Sequence, residues 1–243
     1  MNINIITLFP EIFDSLNYGL LGQAINRNKI KINLYNLRDH QINKHGQIDD
    51  KPYGGGEGMV LMAEPLESSI KSIPPHNLGK VIYLSPQGIL LDQKKVKNLS
   101  KIKDLTIICG RYEGIDERFI SQYVDEEISV GDYILSGGEF GALIIIDSLS
   151  RFISGVIGNS KSVEQDSFSN NLLKGPVFTR PDKFNSEEVP EILVSGDHEK
   201  IQEWQENQSI IRTFQRRPDL LKNVKLTKKQ KKLLEELASK DIL

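Results

Sequence analysis

The chain has little cysteine and no long apolar segment. Cys109 is the only cysteine among its 243 residues, so an internal disulfide and a thiolate metal cluster are both excluded. No apolar run approaches the roughly 20 residues that a membrane-spanning helix needs. The N-terminal sequence MNINIITLFPEIF has neither the basic start nor the small-residue cleavage site of a secretory signal. We therefore expect a cytoplasmic protein.

Two common nucleotide-binding fingerprints are also missing. GxGxxG does not follow the first predicted strand, and GxxxxGK[ST] occurs nowhere, which argues against an ordinary Rossmann or P-loop domain. A structural zinc site is not predicted, because the histidines lack i, i+4 pairing and a nearby cysteine; they are His40, His45, His76 and His198.

The chain has little net charge overall, but its C-terminal segment is basic. The formal net charge of -2 argues against a protein that coats nucleic acid non-specifically. Residues 210–243 nevertheless carry ten Lys or Arg against four Asp or Glu, an excess of six positive charges. Such a segment indicates either a nucleic-acid contact or a solvated, Lys-rich helix face.

Hydrophobic periodicity predicts an α/β domain with a largely parallel sheet, because apolar strands alternate with helical segments. A helix is predicted to open at Pro10, and the polar, glycine-rich segment Arg38 to Met62 is predicted to be a long functional loop. The predicted strands are Ile3 to Phe9, Lys29 to Leu37, Lys80 to Ser85, Leu105 to Gly110 and Glu126 to Leu135.

The remaining segments predict a second, helical domain. A long buried helix is expected over Phe140 to Ile157, closed by Gly155 and Gly158. The Ser- and Asn-rich stretch that follows is typical of a linker. The predicted division is 1–158 for the α/β domain, 159–176 for the linker and 177–243 for a small domain with helices over Asp197 to Arg217 and Leu226 to Lys240.

Three glycine-bearing loops follow the last three predicted strands. They are Ser85 to Gly88, Gly110 to Gly114 and Val130 to Glu139, and the stretch from Cys109 through Gly141 contains six glycines. Ligands of α/β proteins bind at this edge of the sheet, and the loops together suit a neutral adenine and ribose. For any single loop, an ordinary turn explains the glycines as well.

Several strings resemble, in order and spacing, the bacterial tRNA (guanine-N1)-methyltransferases of the SPOUT superfamily. They include YLSPQG, GRYEGIDER, SVGDYILSGGE, SRF and QDSF, and the similarity extends from ITLFPEIF through YGGGEGM to SGDHEKI and RTFQRRPDLL. The resemblance covers essentially the whole chain. It implies a deep trefoil knot in the α/β domain, where glycines let one backbone pass another closely.

The resemblance also implies a bound methyl donor, S-adenosylmethionine, held in a bent shape by the knot. The residues expected to bind it are Tyr83, Leu84, Ser85, Pro86, Gln87, Gly110, Tyr112, Glu113, Gly114, Ser129, Val130, Gly131, Asp132, Tyr133, Ile134, Leu135, Gly137 and Gly138.

The implied reaction is methylation of N1 of guanosine at tRNA position 37. N1 of neutral guanine carries a proton, so a base must remove it, and a carboxylate is a reasonable candidate. Asp166 matches the family's proposed base, Arg151 its arginine for the charge that develops on O6, and Glu113 a residue that contacts the guanine. The plainer interpretations are a solvated linker aspartate, a surface arginine and a loop glutamate without a role. Cys109 is predicted to be a buried apolar residue rather than a nucleophile.

The resemblance further implies a homodimer in which Asp166 acts across the subunit interface, and a need for Mg²⁺ whose ligands the sequence does not identify. Basic residues of the second domain are expected to contact tRNA phosphates. They are Arg212, Arg216 and Arg217, with Lys222, Lys225, Lys228 and Lys229.

Two rival functions stay open at the level of sequence. One is another SPOUT methyltransferase acting on ribosomal RNA or on a ribose 2′-hydroxyl, against which Asp166 speaks, because a ribose carries no acidic N1 proton. The other is a non-catalytic RNA-binding protein with a decayed pocket. The intact glycine loops, Arg151 and Asp166 argue against decay.

Overall fold

The computed structural model describes residues 1–157 and 166–240. The chain forms two compact units, Met1–Gly158 and Asn159–Leu243. Gly158 and residues 159–165 of the predicted linker lie outside the described residues. In the described ranges, no helix has the length and apolarity to cross a membrane.

The first unit contains seven strands and six α-helices among its described residues. The strands are β1 (Asn2–Thr7), β2 (Lys31–Asn36), β3 (Asp49–Asp50), β4 (Val60–Leu61), β5 (Lys80–Leu90), β6 (Asp104–Cys109) and β7 (Glu126–Ser129). The helices are α1 (Gly19–Asn26), α2 (Ala63–Ser72), α3 (Pro75–Leu78), α4 (Gln93–Leu99), α5 (Glu117–Tyr123) and α6 (Glu139–Ser150). Two 3₁₀ helices, Pro10–Asn17 and Leu37–His40, complete the unit.

Five of these strands form the central sheet, in the order β2-β1-β6-β5-β7. Every neighbouring pair in it is parallel, so the carboxyl ends of all five strands lie at one edge. The predicted α/β class with a largely parallel sheet is confirmed. Parallel order follows from the crossover segments, because each strand is followed by a helix or long loop that returns the chain to the opposite edge.

Both faces of the sheet are buried, which explains why its strands are almost continuously apolar. Ile5 and Ile107 belong to a core cluster that also contains Ile145 of α6. Their neighbours Ile6 and Ile108 point to the opposite face and belong to a second cluster. The core thus lies on both sides of the strands and holds their carboxyl ends in place.

Two predicted element ends, those of β7 and α6, and one predicted loop were wrong. Strand β7 ends at Ser129 instead of Leu135, because the Ser129 hydroxyl bonds the backbone of Gly131 and turns the chain. Helix α6 ends at Ser150 instead of Ile157, where the chain passes into tighter i to i−3 turns. The predicted loop from Arg38 to Met62 contains the short antiparallel pair β3 and β4.

The described part of the second unit is largely helical. Its elements are β8 (Lys183–Phe184), β9 (Glu187–Glu188), α7 (Glu191–Val194), α8 (His198–Arg216), a 3₁₀ helix Pro218–Asn223 and α9 (Lys228–Lys240). Asp197 caps α8 by accepting a hydrogen bond from the Lys200 amide at 3.2 Å. Thr227 and Gln230 form the predicted reciprocal capping box before α9.

The residues just before this helical region are fixed to α8. The Leu173 amide donates to the Thr213 hydroxyl at 2.8 Å, and the Ser209 hydroxyl donates to the Leu173 carbonyl at 2.5 Å. Gly175 lies so near α8 that a Cβ there would be 3.2 Å from Cβ of Gln208. The carboxyl-terminal part of the predicted linker is therefore a packed segment.

Candidate active site

A cavity of about 290 Å³ opens at the carboxyl edge of the sheet. It is enclosed by the middle of β5 and by the loops that follow β6 and β7. Of the residues predicted to bind the cofactor, all but Asp132 line it: Tyr83, Leu84, Ser85, Pro86, Gln87, Gly110, Tyr112, Glu113, Gly114, Ser129, Val130, Gly131, Tyr133, Ile134, Leu135, Gly137 and Gly138. The structure thus brings the three glycine-bearing segments together.

The first wall of the cavity is an irregularity inside strand β5. Leu84 and Ile89 both pair with Ile128, so the residues between them leave the ladder with β7. The sequence placed Ser85 to Gly88 beyond the end of a strand, but the strand resumes after them. A Cβ at Gly88 would lie 2.4 Å from backbone atoms of Glu127 and Ile128. Two backbones therefore approach here as closely as only glycine allows.

The second wall is the loop from Gly110 to Gly114. Its centre, Tyr112, has a φ of +59°, a conformation that non-glycine residues seldom adopt. The loop is fixed by hydrogen bonds from the Gly114 amide to the Arg111 carbonyl at 3.1 Å and from the Glu113 amide to the Met59 carbonyl at 3.0 Å. Glu113 is thereby held at the edge of the cavity by the YGGGEGM segment.

Tyr83 forms the floor between these two walls. Only 6% of its surface is exposed, and a Cβ at Gly110 would lie 2.8 Å from its hydroxyl oxygen. Burial, reinforced by the charge of Glu127, raises the pKa of Tyr83 to about 12, although a backbone hydrogen bond from Ile115 opposes the shift. The phenol is therefore neutral and protonated at physiological pH.

The third wall is the loop after β7. The Tyr133 hydroxyl donates to the Val130 carbonyl at 3.1 Å, and the Gly138 amide donates to the Gly110 carbonyl at 2.9 Å. The second bond joins this loop to the Gly110 loop. A Cβ at Gly138 would lie 2.8 Å from Cα of Cys109, so glycine is required where the loop after β7 meets the end of β6.

Several site residues were missed by the sequence reasoning. Arg111, Ile128 and Gly141 also line the cavity, and Glu139, which follows the lining residue Gly138, is a fully buried carboxylate. Arg111 and Glu139 form an ion pair, and the only sequence signal for it is that each of two glycine loops contains a charged residue, which does not identify the partner. Cys109 is buried as predicted, and burial raises the pKa of its thiol well above the usual value.

Arg151 lies at the other end of helix α6 from the cavity. The helix has twelve residues and is about 18 Å long. Glu139, its first residue, lies at the cavity, whereas Arg151 follows its last turn and lines a separate cavity of about 260 Å³ with Tyr18 and Asp147. The Arg151 side chain and the glycine-lined cavity of the same chain are therefore not brought together.

Asp166 belongs to the second unit and is partly buried. Its carbonyl accepts a hydrogen bond from the Ser169 amide at 3.2 Å. The segment that it begins continues to Leu173, which α8 holds through Ser209 and Thr213. The predicted base is thus attached to a packed element.

The predicted tRNA-contacting arginines lie at the carboxyl end of α8. Arg212 and Arg216 are four residues apart and share one face of the helix. Arg217 is engaged by the Asp219 carboxylate through two bonds of 2.9 and 2.8 Å. Arg216 is exposed and Arg212 partly so, which leaves this face accessible within the unit.

No group of three or more His, Cys, Asp or Glu side chains that could hold a metal ion occurs among residues 1–157 and 166–240. The Mg²⁺ requirement implied by the resemblance stays a prediction without assigned ligands. Among the described acidic residues, Glu113 lines the cavity, and Glu139 is paired with the lining residue Arg111.

The chain is similar to known proteins over nearly its whole length. Residues 1–223 match the family described as tRNA (Guanine-1)-methyltransferase TrmD. The chain is 48% identical over 235 residues to a tRNA (guanine-N(1)-)-methyltransferase of Clostridium novyi, covering 97% of each chain. It is 49% identical over 239 residues to the protein of the same name from Vibrio vulnificus, covering 97% of this chain and 96% of that one. The family predicted from the motifs is confirmed, and the chain belongs to the tRNA (guanine-1)-methyltransferase TrmD family.

Proposed function

We propose that this chain methylates N1 of guanosine 37 of tRNA, next to the anticodon, with S-adenosylmethionine as the donor. The activity and the donor follow from the family to which the chain belongs. The observation that carries the assignment to particular residues is the cavity at the carboxyl edge of the sheet, where three glycine-bearing segments meet.

The residues that line the cavity suit the chemistry of the donor. Its walls combine backbone groups, exposed where glycines leave them uncovered, with apolar side chains such as Leu84 and Val130, a combination suited to an adenosine moiety. The donor supplies an electrophilic methyl group on a positively charged sulfur. Glu113 lines the cavity as an acidic group whose charge complements that cation, whereas the nearby charge of Arg111 is balanced by Glu139.

The chain's own residues must prepare the acceptor. Asp166 removes the proton from N1 of guanine, which frees a lone pair for attack. Arg151 stabilises the negative charge that develops on O6. Glu113 accepts hydrogen bonds from the guanine and keeps N1 directed at the donor. The neutral phenol of Tyr83 and the buried thiol of Cys109 take no part in proton transfer.

A homodimer would bring these groups together. Arg151 lies about one helix length from the cavity of its own chain, so it fits a role at the cavity of a partner chain. Asp166 would join it there from the same subunit. The shared site is the reason for which we expect an obligate dimer.

A trefoil knot around the donor is supported by the chain path at β5. Residues Ser85 to Gly88 leave the ladder with β7 and the strand then resumes. Gly88 is in backbone contact with β7 at a distance that no side chain would permit. Such close crossing is what a threaded chain requires.

The helical region after the packed segment at 166–176 would bind the anticodon stem. Arg212, Arg216 and Arg217 at the end of α8 are expected to contact phosphates and so position the substrate. The target base would then leave its stack and enter the cavity. Mg²⁺ and a cytoplasmic location remain expectations attached to this function.

The test is to incubate the chain with methyl-labelled S-adenosylmethionine and unmodified tRNA transcripts that carry guanine or adenine at position 37. Labelling of the guanine transcript alone is expected. Equal labelling of both transcripts, or labelling of neither, would contradict the assignment. A chain carrying Asp166→Ala should lose transfer while its donor affinity stays near that of the unchanged chain.

A further inference from the structure

Glu139 is a completely buried carboxylate next to Gly138, which lines the cavity. It is the first residue of α6, where the positive end of the helix dipole favours a negative charge. Its Oε1 accepts a hydrogen bond from the Thr7 hydroxyl, at the carboxyl end of β1, at 2.8 Å. A buried carboxylate is costly unless it is paired, so its partners define what it does.

The charged partner of Glu139 is Arg111. Nε of Arg111 lies 2.9 Å from Oε2 of Glu139, although the N–H direction does not meet hydrogen-bond geometry. The guanidinium lies 4.4 Å from the centre of the Phe9 ring, and its Nη1 donates to the Ser136 carbonyl at 3.0 Å. Arg111 is therefore enclosed by an anion, an aromatic face and a backbone carbonyl.

This arrangement ties two walls of the cavity to each other. Arg111 is part of the Gly110 to Gly114 loop, and Ser136 belongs to the loop after β7. Gly137 packs against the guanidinium so tightly that a Cβ there would lie 2.2 Å from Nε of Arg111. One guanidinium thus fixes the position of both loops. The Glu139 carboxylate, which accepts a hydrogen bond from Thr7 of β1, fixes that guanidinium in turn.

Stability alone does not call for this pair, because apolar residues of similar volume often replace a buried ion pair at no loss of stability. A planar guanidinium held by the Glu139 charge, the Phe9 ring and the Ser136 carbonyl is instead suited to fixing a loop in one geometry. Glu113 follows Arg111 by two residues, so a shift of the guanidinium would move Glu113 with it.

We propose that Glu139 and Arg111 are positioning residues for methyl transfer, which hold Glu113 and the donor cavity in register with the acceptor base. The inference rests on the proposed function and adds two residues to it. They act through a series of contacts in which Thr7 orients Glu139, Glu139 orients Arg111, and Arg111 fixes the two loops.

Glu139→Gln tests this series of contacts because it removes the charge and keeps the size and the acceptor for Thr7. We expect kcat to fall by about 10²-fold, the effect of misplacing reacting groups by about 1 Å, while KM for tRNA stays within about threefold. Arg111→Lys keeps the charge without the planar guanidinium and should give an intermediate kcat.

The matched control is Glu126→Gln. Glu126 is a partly buried carboxylate of the first unit that, like Glu139, is paired with cations, here Lys80 and Lys95, but neither it nor these partners line the cavity. Its loss should lower thermal stability and leave kcat of the folded enzyme unchanged. Hydrogen exchange at the Gly138 and Glu113 amides, which bond Gly110 and Met59, should accelerate in Glu139→Gln and not in the control.

The proposal is overturned if Glu139→Gln and Arg111→Lys keep kcat within about threefold of the unchanged enzyme. It is equally overturned if they lose rate only in proportion to their unfolded fraction. If the unchanged chain itself transfers no methyl group to tRNA, the proposed function fails instead. Hydrogen exchange and the affinity for S-adenosylhomocysteine then still decide whether the pair positions the loops.

Discussion

Gly58 packs against the side chain of Glu113, so closely that a Cβ at position 58 would lie 2.6 Å from Cγ and 2.7 Å from Oε1 of the glutamate. This contact connects the YGGGEGM segment, to which the sequence assigned no contact with the site, with the residue expected to contact guanine. Gly58 also has a φ of +88°, so both the space and the backbone conformation call for glycine.

Replacing Gly58 by alanine should therefore displace Glu113 and lower the methylation rate by about 10²-fold, because the acceptor would no longer be aligned. Steady-state kinetics with a tRNA transcript measure the effect. The matched control is Gly55→Ala: Gly55 has a similar φ of +82° but nothing within 4 Å of its position for Cβ. The same loss of rate in both variants would show that loop strain, and not contact with Glu113, is responsible.

Tyr83 should make stability depend on pH in the alkaline range. Burial, aided by the Glu127 charge, raises its pKa to about 12 in the folded state, against about 10 in the unfolded chain. Its neutral form is therefore favoured by folding. Its contribution to the free energy of unfolding is fully present below pH 10. As the pH rises towards 12, this contribution is lost, by about 2 to 3 kcal/mol in total.

Denaturant unfolding at pH 8.5 and pH 11 measures this loss. Between these two values, the unchanged chain should lose about 1 kcal/mol more than Tyr83→Phe, because the variant has no phenol to ionise. If the two proteins lost the same free energy of unfolding, the pKa of Tyr83 would be equal in the folded and unfolded states. Burial would then have no effect on that pKa.

What the sequence could and could not predict follows from how local each signal is. Strands such as Ile3 to Phe9 were found because apolar runs and turn residues act over a few positions. The resumption of β5 after Gly88 was missed, because it depends on pairing with Ile128, which lies far along the chain. The same limit applies to the pairing of Arg111 with Glu139, since each residue taken alone resembles an ordinary loop charge.

Helix starts could be predicted from local sequence signals, whereas the end of α6 could not. Asp197 and Thr227 identified helix starts correctly, because a cap is defined by its next three residues. The end of α6 was predicted seven residues too late, because Arg151 to Ile157 remain apolar enough to mimic a helix after the chain has turned. That error also hid how far Arg151 lies from the cavity of its own chain.

A complementation experiment tests whether the site is shared between subunits. Glu113→Ala disables the cavity side and Asp166→Ala the base side, and each variant alone should be inactive. Mixed heterodimers would contain one site with both residues intact if Asp166 acts on the partner's cavity. Random mixing of equal amounts should then restore about one quarter of the unchanged activity.

The contrary result is equally clear. If Asp166 serves the cavity of its own chain, every site in the mixture lacks one of the two residues and activity stays at the background of the single variants. Size-exclusion chromatography of the mixture shows whether heterodimers were formed, and co-purification with two different affinity tags isolates them.

Arg216 should contribute to tRNA binding through phosphate contact. It is exposed at the end of α8, so Arg216→Ala should weaken binding and reduce the slope of log K against log salt by about one. Lys71→Ala is the control, because Lys71 is an exposed cation of the first unit paired with Glu67. Filter binding at several salt concentrations gives both slopes; an unchanged slope for Arg216→Ala would remove this residue from the interface.

Identifying the product is the most direct test of whether the chain methylates N1 of guanosine 37. A methyl group on N1 blocks Watson–Crick pairing, so reverse transcription of the treated tRNA should stop one nucleotide before position 37, and nucleoside mass spectrometry should find 1-methylguanosine. We expect this stop only when guanine occupies position 37 and only with an enzyme that retains Asp166. Full read-through, or methylation located at a ribose or at another base, would contradict it.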